Sequence, residues 1–342
     1  MKRAVLVLLI TAVVFSGFSC SRQNQENIYR KNGIIMDTLV TITVAANSPK
    51  QANSAIDAAF AELRHLEKLI SFWDPKSEIS AMNREAGIRP VKVSPETMDL
   101  LEKALFVSKK TDGAFDCTIG PEIRQWDFKK KIMPGPEAIK RALSLVDYRA
   151  VKLDKANSTA FLDRKGMSFD TGGIAKGWGA DMAEAVLKAN GIKAGLIAIA
   201  GDIKAFGRKP DGHGWIVGIE NPRPEGKNDQ VLARIELVDE GISTAGDYER
   251  CFFINGVMYH HILNPKTGYP ARGFESVSLI TPKGVWSDGF DDGIFVLGPE
   301  KGIALVKELG FNAITVDSSG KLGITSGIRP RVTLFTGKGK VQ

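Results

Sequence analysis

The sequence predicts an α+β fold, and three observations predict it. Apolar residues recur at helical spacing in several stretches, most clearly at Ile56, Ala59, Phe60, Leu63, Leu66, Leu69 and Ile70. Alternating, β-branched runs such as residues 33–44 read as strands. The two kinds of segment lack the regular β-α-β alternation of a doubly wound parallel sheet. A chain of 342 residues with 43% hydrophobic content can bury one large core or two lobes.

The first helix ends near Phe72-Trp73-Asp74-Pro75, because proline drives its predecessor out of the helical region. Residues 77–83 read as a short helical turn. Ser94 and Pro95 start a helix carrying Met98, Leu101, Leu105 and Val107. Residues 113–121 are a loop, 129–131 a solvated charge run, 136–146 a short helix and 151–165 a hairpin turning at Asn157-Ser158. Strands are expected at 194–199, 215–219, 231–237, 276–280, 312–316 and 331–335, with a helix at 299–309. Residues 241–250 read as a polar turn.

The stretch Asp170-Thr-Gly-Gly-Ile-Ala-Lys-Gly-Trp-Gly179 joins an extended segment to a helix. Its glycines let a backbone approach closely and permit positive φ, and the helix start offers free N–H groups to an anion. Lys176 adds a mobile positive charge. The spacing matches neither a P-loop nor a dinucleotide turn. A phosphorylated ligand and a plain helix-capping turn both remain open on these residues alone.

Forty-six Lys and Arg against 39 Asp and Glu give a net charge of +7. No basic run with interleaved aromatics occurs, so the charge suits anionic small molecules and not nucleic acid. Residues 1–20 read as a secretory signal: Lys2 and Arg3, then an apolar run too short to span a bilayer. Its end, Ser16-Gly-Phe-Ser-Cys20, resembles a bacterial lipoprotein processing site, with Gly17 where leucine is usual and Cys20 as the lipidated residue. Residues 21–32 read as a tether and 336–342 as a tail, so the expected location is the periplasmic side of a membrane. There Cys117 and Cys251 meet oxidising conditions, and a disulfide between them is left open.

Asp288, Asp291 and Asp292 share one face if their segment, 285–297, is helical. Three like charges so close invite a hard cation, and oxygen ligands without His or Cys favour Mg²⁺ over zinc. His261 suits the role of proton acceptor for a hydroxyl, with a packed structural histidine as the alternative.

Eight motifs then resemble, in order, the ApbE family of bacterial FAD:protein FMN transferases. They are Met36-Asp-Thr38, Phe72-Trp-Asp74 with Ser77-Glu-Ile-Ser80, Phe115-Asp-Cys-Thr-Ile-Gly-Pro121, Asp170-Thr-Gly-Gly-Ile-Ala-Lys-Gly177, Ala200-Gly-Asp202, Ser243-Thr-Ala-Gly-Asp-Tyr248, His261-Ile-Leu-Asn-Pro-Lys-Thr-Gly268, and Asp288 with Val296-Leu-Gly298. The resemblance spans residues 33–335. It implies mixed sheets with packed helices in a two-lobed single domain, with FAD bound between the lobes. It also implies Mg²⁺-dependent transfer of FMN from FAD to a threonine (or serine) hydroxyl of a flavoprotein, with release of AMP. Acceptors would be periplasm-facing subunits of redox complexes, and only a lipid anchor would touch the membrane. By the same resemblance, Met36, Trp73, Ala114, Phe115, Asp116, Asp170, Lys176 and Ile262 line the FAD site. Asp288, Asp292 and the carbonyl of Gly173 hold the metal, and His261 accepts the hydroxyl proton.

The chain departs from the family pattern at five places. Trp73 stands for tyrosine, Asp292 for threonine, Asp37 and Ala200 for glycine, and Cys117 for proline or an aliphatic residue. Asp292 keeps an oxygen ligand but adds negative charge. Two other readings use the same residues: a metal-dependent FAD pyrophosphatase, and a lipoprotein that binds flavin without chemistry.

Overall fold

A computed structural model describes residues 26–225 and 230–335. The expected signal segment, the lipidation site Cys20, residues 21–25 of the expected tether and the 336–342 tail lie outside the described residues. The tether ends earlier than expected, because β1 (Asn27–Ile35) already pairs with β2 (Thr38–Ala46). What read as one strand is therefore a hairpin. Its two-residue turn, Met36-Asp37, has φ of 55° at both positions, the conformation that matches the twist of a tight hairpin. Aspartate tolerates this region better than most residues, which accounts for Asp37 where glycine is usual.

Next come α1 (Pro49–Ile70), α2 (Glu78–Arg84), β3 (Val91–Lys92), α3 (Pro95–Lys110), α4 (Gly120–Ile123) and α5 (Pro136–Leu143). Ser48, Ser77 and Ser94 cap α1, α2 and α3 by accepting backbone N–H bonds. The hairpin β4 (Val151–Asp154) and β5 (Thr159–Leu162) follows, with β3 pairing on β5. The remainder is α6 (Ala175–Ala189), β6 (Ala194–Ile199), β7 (Asp202–Phe206), β8 (Trp215–Glu220), β9 (Val231–Leu237), β10 (Gly241–Gly246), β11 (Cys251–Ile254), β12 (Val257–His260), β13 (Phe274–Thr281), α7 (Gly284–Glu308), β14 (Asn312–Asp317), β15 (Leu322–Ile324) and β16 (Val332–Leu334).

The main sheet has the order β1-β2-β6-β7-β10-β13-β14-β15, and every neighbouring pair in it is antiparallel. On one face, α1 and α6 bury Ile56, Leu63, Ala183 and Leu187 against Val40, Ile42, Ile197 and Ile199. Further along, α7 packs on β10 and β13. The other face carries the small sheet β16-β9-β8 through Trp215, Val217, Ile235 and Leu237. Each strand is thus covered where its apolar side chains point, as burial of a sheet face demands.

Residues 241–246 correct the expected polar turn. They form β10, in the middle of the sheet, and Ser243 is buried there. The small residues serve close packing, since a β-carbon on Gly241 would come within 2.8 Å of the Gly284 backbone. Helix α7 breaks at Gly298, which has φ 77° and ψ 179° and precedes Pro299. The two helical segments expected at 285–297 and 299–309 are therefore joined end to end with a bend.

Candidate active site

The site forms where the N-terminal ends of α6 and α7 cross. Asp181 of α6 accepts the N–H groups of Gly284 (2.7 Å) and Val285 (3.0 Å), which caps α7 from a neighbouring helix. Gly177 of α6 lies directly against α7 and donates its N–H to Asp288 Oδ2 at 2.8 Å. None of the loop glycines 172, 173, 177 and 179 takes a positive φ, contrary to expectation. They are glycine because there is no room. A β-carbon on Gly173 would lie 3.1 Å from both Asp292 Oδ2 and the Phe115 ring, and one on Gly179 would lie 3.2 Å from Leu63.

One pocket, with an empty volume of about 490 Å³, gathers most of the expected residues. Ala114, Phe115, Asp116, Asp170, Gly173, His261, Ile262 and Asp292 all line it, together with Ile119 and Ile123 of α4. Asp116 is held by N–H groups of Thr118 and Tyr148, and Asp170 by that of Gly172. Burial raises both carboxyls above their usual range.

Four expected residues, Trp73, Met36, Asp288 and Lys176, are not among those that line this pocket. Trp73 is 72% exposed and lines an adjoining cleft with Phe72, Arg84, Arg124 and Ser168. It stands edge-on to Phe72, and the Arg124 guanidinium lies 4.7 Å from the Phe72 ring centre. Met36 belongs to the β1–β2 turn, where its N–H donates to Glu67 at 2.7 Å. Asp288 is buried behind the pocket wall. Ala200, the other non-glycine departure, takes a φ of 54°, so this chain bears strain where glycine would bear none.

Lys176 is not mobile. It pairs with Asp202 and lies 3.7 Å from Asp288 Oδ1. Burial works against its charge, but Asp202 and Asp288 more than compensate and hold its pKa above the usual lysine value. Ser243 donates to Asp202 and lies 2.6 Å from Asp291 Oδ2, while Asp291 Oδ1 accepts the N–H of Asp292. Asp202 and Ser243 are therefore site residues that sequence reasoning quoted within motifs and gave no role. Among the described residues, Cys117 and Cys251 are free thiols.

The cluster holds Asp202, Asp288, Asp291 and Asp292 against one lysine. Burial, and then repulsion from the other carboxylates, pushes Asp288 up to about 7 and Asp291 well above its ordinary value, and burial carries Asp292 to about 6. Buried carboxylates in excess of their counter-charge fit a hard cation. Among the described residues no three His, Cys, Asp or Glu side chains converge as a complete cage. Mg²⁺ keeps water and substrate phosphate in much of its shell and takes one or two carboxylates from protein, so Asp288 and Asp292 would be enough to hold it.

His261 follows β12 and lines the pocket. Its N–H donates to the carbonyl of Arg250 at 3.1 Å, and its buried Nδ1 has no hydrogen-bond partner among the described residues. Burial, then the nearby Arg250 charge, lowers its pKa to about 3. The ring is therefore neutral at physiological pH and has a free lone pair to offer.

Glu122 of α4 is 0% exposed, and neither of its carboxylate oxygens is hydrogen-bonded among the described residues. It lies beneath Gly268, where a β-carbon would come within 2.9 Å of its Oε2. Burial raises it from 4.5 to about 7. A carboxyl raised by folding costs nothing below its unfolded pKa, and the cost grows until pH passes the folded value. Between about pH 4 and about pH 8, Glu122→Gln should therefore gain roughly 3 kcal/mol on the wild type. Urea midpoints across that range test this, and parallel curves would refute it.

A neutral imidazole beside an acidic, oxygen-rich cluster and a pocket fits the active site of a transferase. The chain belongs to the ApbE family, whose pattern it matches over residues 36–315. It is 32% identical to the FAD:protein FMN transferase of Treponema pallidum, over 93% of this chain and 92% of that one. The ApbE protein of Thermotoga maritima has the same fold, with a TM-score of 0.81 and 29% identity, covering 88% of this chain and 98% of that chain. The flavin transferase ApbE of Vibrio cholerae matches with a TM-score of 0.80 and 26% identity, covering 90% and 99%.

Proposed function

We propose that this chain is an FAD:protein FMN transferase that joins FMN to a threonine (or serine) hydroxyl of a flavoprotein and releases AMP. The observation that carries this reading is the convergence of His261, Asp170, Gly173 and Asp292 on one pocket with Ala114, Phe115, Asp116 and Ile262. The apolar side chains Phe115, Ile119, Ile123 and Ile262 exclude water from the pyrophosphate. Met36 and Trp73, at the hairpin turn and the adjoining cleft, bound the remainder of FAD. His261 accepts the hydroxyl proton at a ring nitrogen. Asp288, Asp292 and the Gly173 carbonyl would hold Mg²⁺, which when bound would offset the charge on the pyrophosphate. Lys176, tied to Asp202 and Asp288, holds those carboxylates in place.

The transferase domain of this reading runs to 335 and starts with β1 at Asn27, six residues before the 33 expected from the sequence. The protein is anchored through Cys20 on the periplasmic side of a bacterial membrane, where its acceptors are periplasm-facing subunits of redox complexes. The residues that support this location are Lys2 to Cys20.

The chain from Ser21 onward, mixed with FAD, Mg²⁺ and a periplasmic flavoprotein domain, tests the reaction. Intact-mass spectrometry should show the acceptor gaining the mass of FMN, and a chelator should prevent the gain. Free FMN and AMP without a modified acceptor would replace the proposal with the pyrophosphatase reading.

A further inference from the structure

We propose that Arg250 is the guanidinium that grips the FAD phosphoryl group under attack, a role that rests on the transferase reading above. The argument starts from register. Cys251 of β11 lies opposite His260 of β12, and the next rung sets Arg250 opposite His261, closed by the His261 N–H to Arg250 carbonyl bond. Residues directly opposite in an antiparallel pair carry their side chains on the same face, about 5 Å apart at Cβ. His261 lines the pocket, so Arg250 leaves the backbone on the pocket side.

Its charge is felt there and is otherwise unspent. Arg250 lowers the pKa values of His261, Asp170 and Asp292, which lie on three separate segments around the pocket. It is exposed, and its guanidinium has no hydrogen-bond or ion-pair partner among the described residues. The neighbouring cations are committed. Lys176 serves Asp202 and Asp288, Arg223 is bidentate to Asp247, Lys266 pairs with Asp112, and Arg124 covers the Phe72 ring.

The chemistry needs such a group. In the transfer, the acceptor oxygen bonds to the phosphorus on the FMN side as that atom's bond to the bridging oxygen breaks. The electron pair leaves on AMP, and the hydroxyl proton passes to His261. Charge thus gathers on the phosphoryl oxygens in a pocket already walled by Asp170 and Asp292. A guanidinium can hold two of those oxygens at once, from the same end as the base.

The test compares wild type, Arg250→Ala and Arg250→Lys for binding of FAD and riboflavin, by flavin fluorescence with Mg²⁺, and for transfer rate. Arg250→Ala should weaken FAD binding about 10-fold and lower kcat/KM about 100-fold, with riboflavin binding unchanged. Arg250→Lys should recover binding more than kcat, because a point charge lacks the two-pronged geometry. Wild-type FAD affinity and turnover in Arg250→Ala would overturn the proposal, as would equal losses for FAD and riboflavin. If the wild type fails to modify any acceptor while Arg250→Ala still loses FAD selectively, the transferase reading falls and the phosphate contact stands.

Discussion

His261→Ala lowers FMN transfer by about 10²–10⁴-fold and leaves FAD affinity within about threefold of wild type. The first number follows from the loss of a proton acceptor that the surrounding residues do not replace. Asp116, Asp170 and Asp292 are the other pocket groups able to take a proton; Asp116 is tied to the N–H groups of Thr118 and Tyr148, and the other two have tasks at the substrate or metal in the proposed reaction. The second number follows from the ring's position. It is one side of a pocket that also has Phe115, Ile119, Ile123 and Ile262 as walls. The low pKa of about 3 sharpens the expectation. Burial and Arg250 keep the imidazole of the free enzyme neutral, so the wild type should show no loss of kcat/KM between about pH 8 and about pH 5 from histidine protonation. Such a weak base gains proton affinity when the pyrophosphate brings negative charge beside it, which confines its basicity to the loaded site. Intact-mass assays of the acceptor give the rate, and flavin fluorescence gives the affinity. Full transfer by the purified variant would remove histidine from the mechanism.

The parts of this protein that were legible in the sequence are those decided by neighbours along the chain. Ser94 with Pro95, the exit at Phe72 to Pro75 and the turn at Asn157-Ser158 each act within a few residues, and each element formed where expected. Eight of the residues expected from the family resemblance line one pocket. The misreadings were long-range. Gly241 to Gly246 has turn-like composition, yet its small residues answer to the backbone of α7 across the sheet. Lys176 looked mobile because its partners, Asp202 and Asp288, are distant in sequence. The positive φ of Met36 and Asp37 arises from a hairpin whose first strand lay in a segment polar enough to read as a tether. Arg250 gave no local signal at all. Only the rung that pairs it with His261 shows where it points.

Gly177→Ala should be strongly damaging although it adds only a single methyl group. Helix propensity alone predicts the opposite sign, since alanine is favoured over glycine by about 1 kcal/mol in a helix interior. Packing overrides it. The added carbon would sit inside the Gly284 carbonyl oxygen and 2.6 Å from the Asp288 β-carbon. The first of these is backbone and cannot swing away, so α6 and α7 must part. Parting them breaks the Gly177 N–H bond to Asp288 and disturbs the Asp181 cap on α7. Overpacking of this kind costs about 1–3 kcal/mol, and an unmade hydrogen bond to a buried carboxylate adds about 2 kcal/mol. The expected loss is about 4 kcal/mol in the urea midpoint analysis. Gly179→Ala is the control. Its new carbon meets the tips of Leu63 and Met36 at 3.2 and 3.5 Å, flexible ends that can shift. The effect should also reach chemistry, because the bond that breaks orients the Asp288 carboxylate. Surviving Gly177→Ala protein should need more Mg²⁺ for half-maximal transfer, and Gly179→Ala should not. Equal stability of the two variants would show that the helices have slack at their crossing, and the account of how the fold sets this carboxylate would fail with it.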